Sequence, residues 1–218
     1  MVKMLAFLTF VLLIHCSNAK IGFDGIASMS PNDFKCLSNN GYSFFVARAW
    51  KSYGNYDETG IQNIKNARAA GWTDTDAYIF PCLESSCAPP ANQVEATIDQ
   101  LRAEQAEFGT LWLDIERYAW PADQQHNRDF ITGLIQGAKN RNVNVGVYTN
   151  YNNWAAIVGG SWTGAQDLPL WWADWNGHQD VTTGFSSFGG WTKVAVHQYS
   201  GDLKNPPCVS DMDQNYKP

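Results

Sequence analysis

Apolar positions along this chain switch repeatedly between two periods. Short apolar runs suited to strands are followed by segments in which apolar residues recur every three or four positions, as on one face of a helix. Lys20-Ile21-Gly22-Phe23-Asp24-Gly25-Ile26 reads as a first strand, and Ser30-Pro31-Asn32-Asp33 then offers an N-cap serine with proline at the first helical position, predicting a short helix to Asn39. Ser43 to Trp50 is a second strand; Ile61, Ile64 and Ala67 repeat at helical spacing before Gly71 stops the helix. A third strand over 77–80 leads to an amphipathic helix carrying Val94, Ile98, Leu101 and Gln105. The fourth strand begins at Thr110 and carries Asp114 and Glu116, a helix is marked by Phe130, Leu134, Ile135 and Ala138, and a fifth strand covers 143–149 before a brief helical piece around 154–158. Strands at 170–175, 194–199 and near 209–213 follow with no helix-sized segment between them. Repeated strand–helix units call for a parallel sheet, and eight strands call for closure. The expected fold is α/β, a modified TIM-like barrel with five βα units followed by three strands.

The residues ahead of the first strand obey another pattern. Lys3 gives a basic start, Leu5 to Ile14 is almost wholly apolar, and Ser17 and Ala19 supply small residues before a cut at Lys20. This predicts a secretory signal peptide over 1–19 and a single domain over 20–218. The apolar run falls short of the roughly 20 residues a membrane span needs, and no later segment is more apolar, so no membrane partner is expected after its removal. A secreted protein, extracellular or in a lysosomal or gut lumen, is the expectation.

Loss of Cys16 with the leader leaves Cys36, Cys82, Cys87 and Cys208. An even count in a secreted chain implies two disulfides, with three pairings open to it. Cys82 and Cys87 are close enough to close one small loop; Cys36 with Cys208 would then tie the ends of the domain. Neither the cysteines nor the histidines have zinc-ligand spacing, so no metal or other cofactor is expected. The chain carries a net charge of -6 and lacks a basic run, which excludes nucleic acid as a partner. An acidic protein also gains nothing from long-range attraction to an anionic surface, so its binding energy must come from short-range contacts. Ten tryptophans and nine tyrosines, among them Trp171, Trp172, Trp175 and Trp191, can supply such contacts by stacking.

The chemistry concentrates at strand ends. Asp114 and Glu116 are spaced i, i+2 at the end of an apolar strand, so they share one side about 7 Å apart along the chain. Two carboxyls desolvated together push one pKa upward, which suits an acid/base pair at neutral pH. An isolated Asp-x-Glu can instead drift into solvent or pair with an arginine. In a barrel, however, the C-terminal strand ends build one active face, and several polar groups fall there. They are Asp24 after the first strand, Arg48 and Trp50 after the second, Tyr148 after the fifth, Asp174 after the sixth, Gln198 after the seventh, and Asp211 or Asp213 on the last. With Trp172 they form the candidate substrate-binding set around the acids.

Four motifs then resemble, in order, those of the family 25 glycoside hydrolases, lysozymes that act as N-acetylmuramidases. Phe23-Asp24-Gly25-Ile26 is similar to the family's opening Asp-Gly strand, Asp114-Ile115-Glu116 to its Asp-x-Glu, Val147-Tyr148-Thr149-Asn150 to its fifth-strand Tyr-Thr, and Asp211-Met212-Asp213 to its closing Asp-Leu-Asn or Asp-Leu-Asp. The resemblance spans about residues 20 to 215. It implies that Glu116 is the general acid, Asp114 its partner, Asp24 and Asp211 further acids of the site, and Tyr78 and Gln198 groove residues. The implied substrate is bacterial peptidoglycan, cut between N-acetylmuramic acid and N-acetylglucosamine; a monomer is expected, and the sequence leaves defence and digestion both open. Arg48-Ala49-Trp50-Lys51 departs from the Lys-Ala-Thr-Glu-Gly of many members, so a substrate-facing loop differs. Two rival readings are a chitinase-like glycosidase and a non-catalytic wall-binding lectin.

Overall fold

The computed structural model describes residues 19–218; the expected leader lies, except for Ala19, outside the described residues. In chain order the elements are β1 (Lys20–Gly25), α1 (Pro31–Asn39), β2 (Tyr42–Lys51), β3 (Asn55–Tyr56), α2 (Glu58–Ala69), β4 (Thr75–Ile79), α3 (Pro90–Ala103), β5 (Thr110–Asp114), α4 (Gln124–Asn140), β6 (Asn144–Thr149), α5 (Tyr151–Val158), β7 (Leu170–Ala173), β8 (Val196–Lys204) and β9 (Asp211–Lys217). The helix starts follow local chemistry. Ser30 and Asp33 cap α1 reciprocally, Ser30 N–H donating to Asp33 Oδ2 at 2.7 Å and Asp33 N–H to Ser30 Oγ at 3.3 Å.

The sheet runs β1-β9-β8-β7-β6-β5-β4-β2, and β1 pairs with β2 to close it into an eight-stranded barrel, with β3 a short ribbon on β2. Five strand–helix units therefore precede three strands without helices, as expected. The last strand departs from expectation in position and direction. It occupies Asp211–Lys217 and runs antiparallel to both β1 and β8. Its apolar signature is weak because Asp213, Asn215 and Lys217 bond to polar groups of the barrel: Asp213 and Asn215 meet Gln198 and Asp24, and Lys217 meets Asp76.

Two apolar layers hold the barrel. Outside it, Phe23, Phe34, Phe45 and Trp72 form one aromatic cluster beneath α1 and α2, with the Phe23 and Phe45 centroids 4.8 Å apart. Inside it, Phe44, Val46, Trp112, Trp171 and Val196 form a separate buried plug. Backbone without side chains makes room for these rings: a Cβ on Gly22 would stand 2.4 Å from the Phe44 ring, and one on Gly146 2.4 Å from Trp112. Beneath the plug, Lys217 Nζ sits 4.4 Å from the Phe44 ring centroid and bonds Asp74 at 2.9 Å and Asp76 at 3.1 Å. These groups close the barrel interior at its base, opposite the C-terminal ends of the parallel strands.

Two disulfides are formed, Cys36–Cys208 and Cys82–Cys87. The first joins α1 to the loop between β8 and β9 across 172 residues, while the second closes a loop of separation 5. A crosslink stabilises chiefly by restricting the unfolded chain, and more so for the longer loop. Replacing Cys36 and Cys208 by alanine should therefore lower the unfolding free energy by roughly 2–5 kcal/mol in urea titrations, with a smaller loss for the Cys82 and Cys87 pair. Equal losses, or free thiols on peptide mapping of the native protein, would contradict this.

Candidate active site

Four carboxyl groups converge above the aromatic plug. Asp24, on β1, and Asp114, the last residue of β5, are 9% and 6% exposed. Asp213 is the register partner of Asp24 across the β1–β9 pair. Glu116 lies beyond the end of β5, and backbone bonds hold its segment: Ile115 N–H donates to Tyr148 O at 2.9 Å, Thr149 Oγ1 to Ile115 O at 2.7 Å, Arg117 N–H to Asn153 Oδ1 at 3.2 Å, and Trp120 Nε1 to Glu116 O at 2.9 Å. These acids line a cavity of about 240 Å³ together with Tyr78, Tyr148, Trp171, Trp175 and Gln198.

Burial dominates the electrostatics. It raises Asp24 from 3.8 to about 8, aided by the nearby Asp213 charge and opposed by amide donors from Asn215 and Gln198. Asp114 is pushed well above the carboxylate range, first by burial, then by Glu116 and Asp24, with the Arg48 charge pulling the other way. Glu116 is raised by burial and then by Asp213, and Asp213 by its own burial. At about 8, Asp24 keeps its proton near neutrality. Asp114 Oδ1 is buried and has no hydrogen-bond partner within the protein.

Gln198 organises the remaining contacts. It is 2% exposed. Its Oε1 accepts from Tyr148 Oη and Trp175 Nε1, both at 2.9 Å, and its Nε2 donates to Asp24 Oδ1 at 3.0 Å and Asp213 Oδ2 at 3.2 Å. With both ends of the amide occupied, Gln198 acts on the acids and on Trp175 from within the wall. Asn215, which the sequence reading passed over, donates to Asp24 Oδ1 at 2.6 Å and accepts from Trp171 Nε1 at 2.7 Å.

The sequence candidates therefore separate. Asp24, Asp114, Glu116, Tyr78, Tyr148 and Gln198 come together in the cavity. Asp211 stands one inward-facing position short of it, in an adjoining cavity of about 200 Å³ with Lys204 and Asp202, and Asp213 takes the place beside Asp24. The closing Asp-x-Asp/Asn pattern occurs twice, as Asp211-Met212-Asp213 and Asp213-Gln214-Asn215, and only the barrel register chooses the second. Strand alternation likewise selects Trp171 for the cavity and turns Trp172 outward, stacked on His197 with centroids 4.4 Å apart. Asp174 joins Trp172 in a neighbouring cavity. Trp50, carried past a bulge in β2, is buried against Tyr56 and does not reach the site. Arg48 is paired with Asp57 at 2.6 Å and lies outside the cavity lining, acting on Asp114 through its charge.

The Asp24 shift has a consequence for stability. Its ordinary value is 3.8 and its folded value about 8, so the folded state holds this proton more tightly, and the stability it lends below 3.8 is lost as pH rises toward 8. Asp24→Asn preserves the acceptor for both amides and removes the titration. Its denaturation midpoint should therefore vary less with pH over that window than the wild type's; identical pH profiles would exclude Asp24 as a buried acid.

Comparison with known proteins agrees with this architecture. A family model described as lysozyme-like protein 1 matches residues 15–199. Lysozyme-like protein 5 of Caenorhabditis elegans is 46% identical over 95% of this chain and 97% of that protein. Probable GH family 25 lysozyme 4 of Dictyostelium discoideum is 37% identical over 98% of each. Among solved structures, the bacterial lysozyme from Streptomyces coelicolor superposes with a TM-score of 0.70 at 22% identity, covering 91% of this chain and 92% of its own, which shows a shared fold. The family 25 lysozyme of Aspergillus fumigatus does so with a TM-score of 0.67 at 16% identity, covering 92% and 94%. With a barrel of this form and a family match over most of its length, the chain belongs to the family 25 glycoside hydrolases, the lysozymes.

Proposed function

We propose that the protein is a secreted lysozyme that hydrolyses the β-1,4 bond between N-acetylmuramic acid and N-acetylglucosamine in bacterial peptidoglycan, in defence or digestion. Residues 1–19 are its leader and residues 20–218 one catalytic domain, working as a monomer outside the cell or in a lysosomal or gut lumen. Two disulfides suit an oxidising compartment of that kind. The observation that carries the reading is the cluster of Asp24, Asp114, Glu116 and Asp213 in one cavity at the C-terminal strand ends, with a buried acceptor of Asp114 left unpaired. A sugar-binding lectin has no need of protonated acids.

Glu116 is the group to protonate the glycosidic oxygen, since burial raises its pKa and it is the more exposed member of the Asp114–Glu116 pair. The substrate brings a 2-acetamido group beside the reacting carbon. Its N–H would donate to the Asp114 carboxyl that lines the cavity, orienting the amide so that its carbonyl oxygen attacks the anomeric carbon as the bond to the leaving sugar breaks. Asp24 and Asp213 shape that pocket with their shared Gln198 donor. Configuration is then retained through a cyclic intermediate.

Mass analysis of fragments released from purified peptidoglycan tests the activity: N-acetylmuramic acid at the new reducing ends is expected, and N-acetylglucosamine there, or no release, would refute it. Glu116→Gln should lower turnover by at least roughly 100-fold while leaving the folded state intact. NMR of the first-formed anomer addresses the mechanism. An inverted anomer would exclude assistance by the acetamido group, and a trapped ester on Asp114 would replace it with covalent catalysis.

A further inference from the structure

The catalytic cavity, at about 240 Å³, falls below the roughly 300 Å³ at which sites for drug-sized ligands begin, so a polymer must find most of its contacts beside it. The surface indicates where. Ile26, Tyr53, Tyr118, Tyr151 and Trp175 are the large apolar side chains exposed among the described residues, and each follows the C-terminal end of a parallel strand. They ring a single face.

One neighbouring cavity on that face, of about 350 Å³, lies between the ends of β6 and β7 and the segment around Gly184 to Phe188. Tyr151 forms one wall, 56% exposed yet braced edge-on by buried Phe188, with centroids 6.1 Å apart. A ring already held in place stacks on a sugar at little further ordering cost. Asn152, Ser186 and Ser187 add neutral polar groups, Asp174 adds an acceptor, and no cation lines the cavity. That lining suits an uncharged N-acetylhexosamine and offers nothing to the carboxylates of a peptide. The cavity is also on the side of Glu116, because the first turn of α5, which supplies Tyr151, receives the Arg117 N–H through Asn153.

From these observations we propose that the β6–β7 cavity is the subsite for the leaving sugar, an N-acetylglucosamine unit, with Tyr151 as its stacking platform. The proposal rests on the lysozyme reading and adds to it the direction in which the glycan crosses the barrel. Tyr151 touches neither the acids nor the acetamido pocket, so its contribution depends on the leaving group being a sugar.

The test compares two peptide-free substrates carrying the same donor sugars, one releasing an N-acetylglucosamine oligomer and one, a glycosyl fluoride, releasing only fluoride. The preference of the wild type for the sugar leaving group, as a ratio of kcat/KM values, should fall about tenfold in Tyr151→Ala, a change of about 1.4 kcal/mol. Tyr151→Phe, which retains the ring, should keep the ratio. An unchanged ratio in the alanine variant, whether both rates fall together or neither does, would overturn the assignment. A wild type that cleaves neither substrate would instead refute the lysozyme reading, and this proposal with it.

Discussion

Desolvation of carboxyl groups is the constraint around which this molecule is built. An acid useful near neutral pH must be kept away from water and near other acids, and both conditions oppose folding because they raise the free energy of the charged form. Here the aromatic plug of Phe44, Trp112 and Trp171 removes water from below, and the strand ends bring four acids together above it. The plug in turn depends on Gly22 and Gly146, whose missing side chains give the rings their space.

The two ends of the barrel treat buried charge in opposite ways. At the base, Lys20 and Lys217 pair with Asp74 and Asp76, and Trp112 donates to Asp76, so both acids there are matched. At the open end the acids receive neutral donors, the amides of Gln198 and Asn215 and the backbone N–H of Asp202, and one oxygen of Asp114 receives nothing. Full pairing secures structure, whereas incomplete pairing leaves capacity for a substrate. The antiparallel course of β9 joins the two ends, because one strand carries Lys217 to the base and Asp213 to the site.

A net charge of -6 denies the protein long-range attraction to an anionic wall. Exposed rings confined to the open face answer that deficit with contacts that act only at short range, and their position around the carboxyl cavity makes recognition of the glycan and its cleavage parts of one surface.

The sequence alone determined the run of elements, because helix and strand periods and the Ser30 cap are local properties of neighbouring residues. It also pointed to Asp24, Asp114 and Glu116, whose motifs lie at strand ends that the periodicity locates closely. The last strand was less legible, since its inward residues are polar and find their partners across the barrel, leaving no apolar alternation to read. Register therefore decided what local pattern could not. A shift of two residues exchanges Asp211 for Asp213, and a shift of one exchanges Trp172 for Trp171. Such choices are made by pairing between strands distant in sequence, Asp24 with Asp213 and Tyr148 with Trp171, and they exist only once the barrel closes.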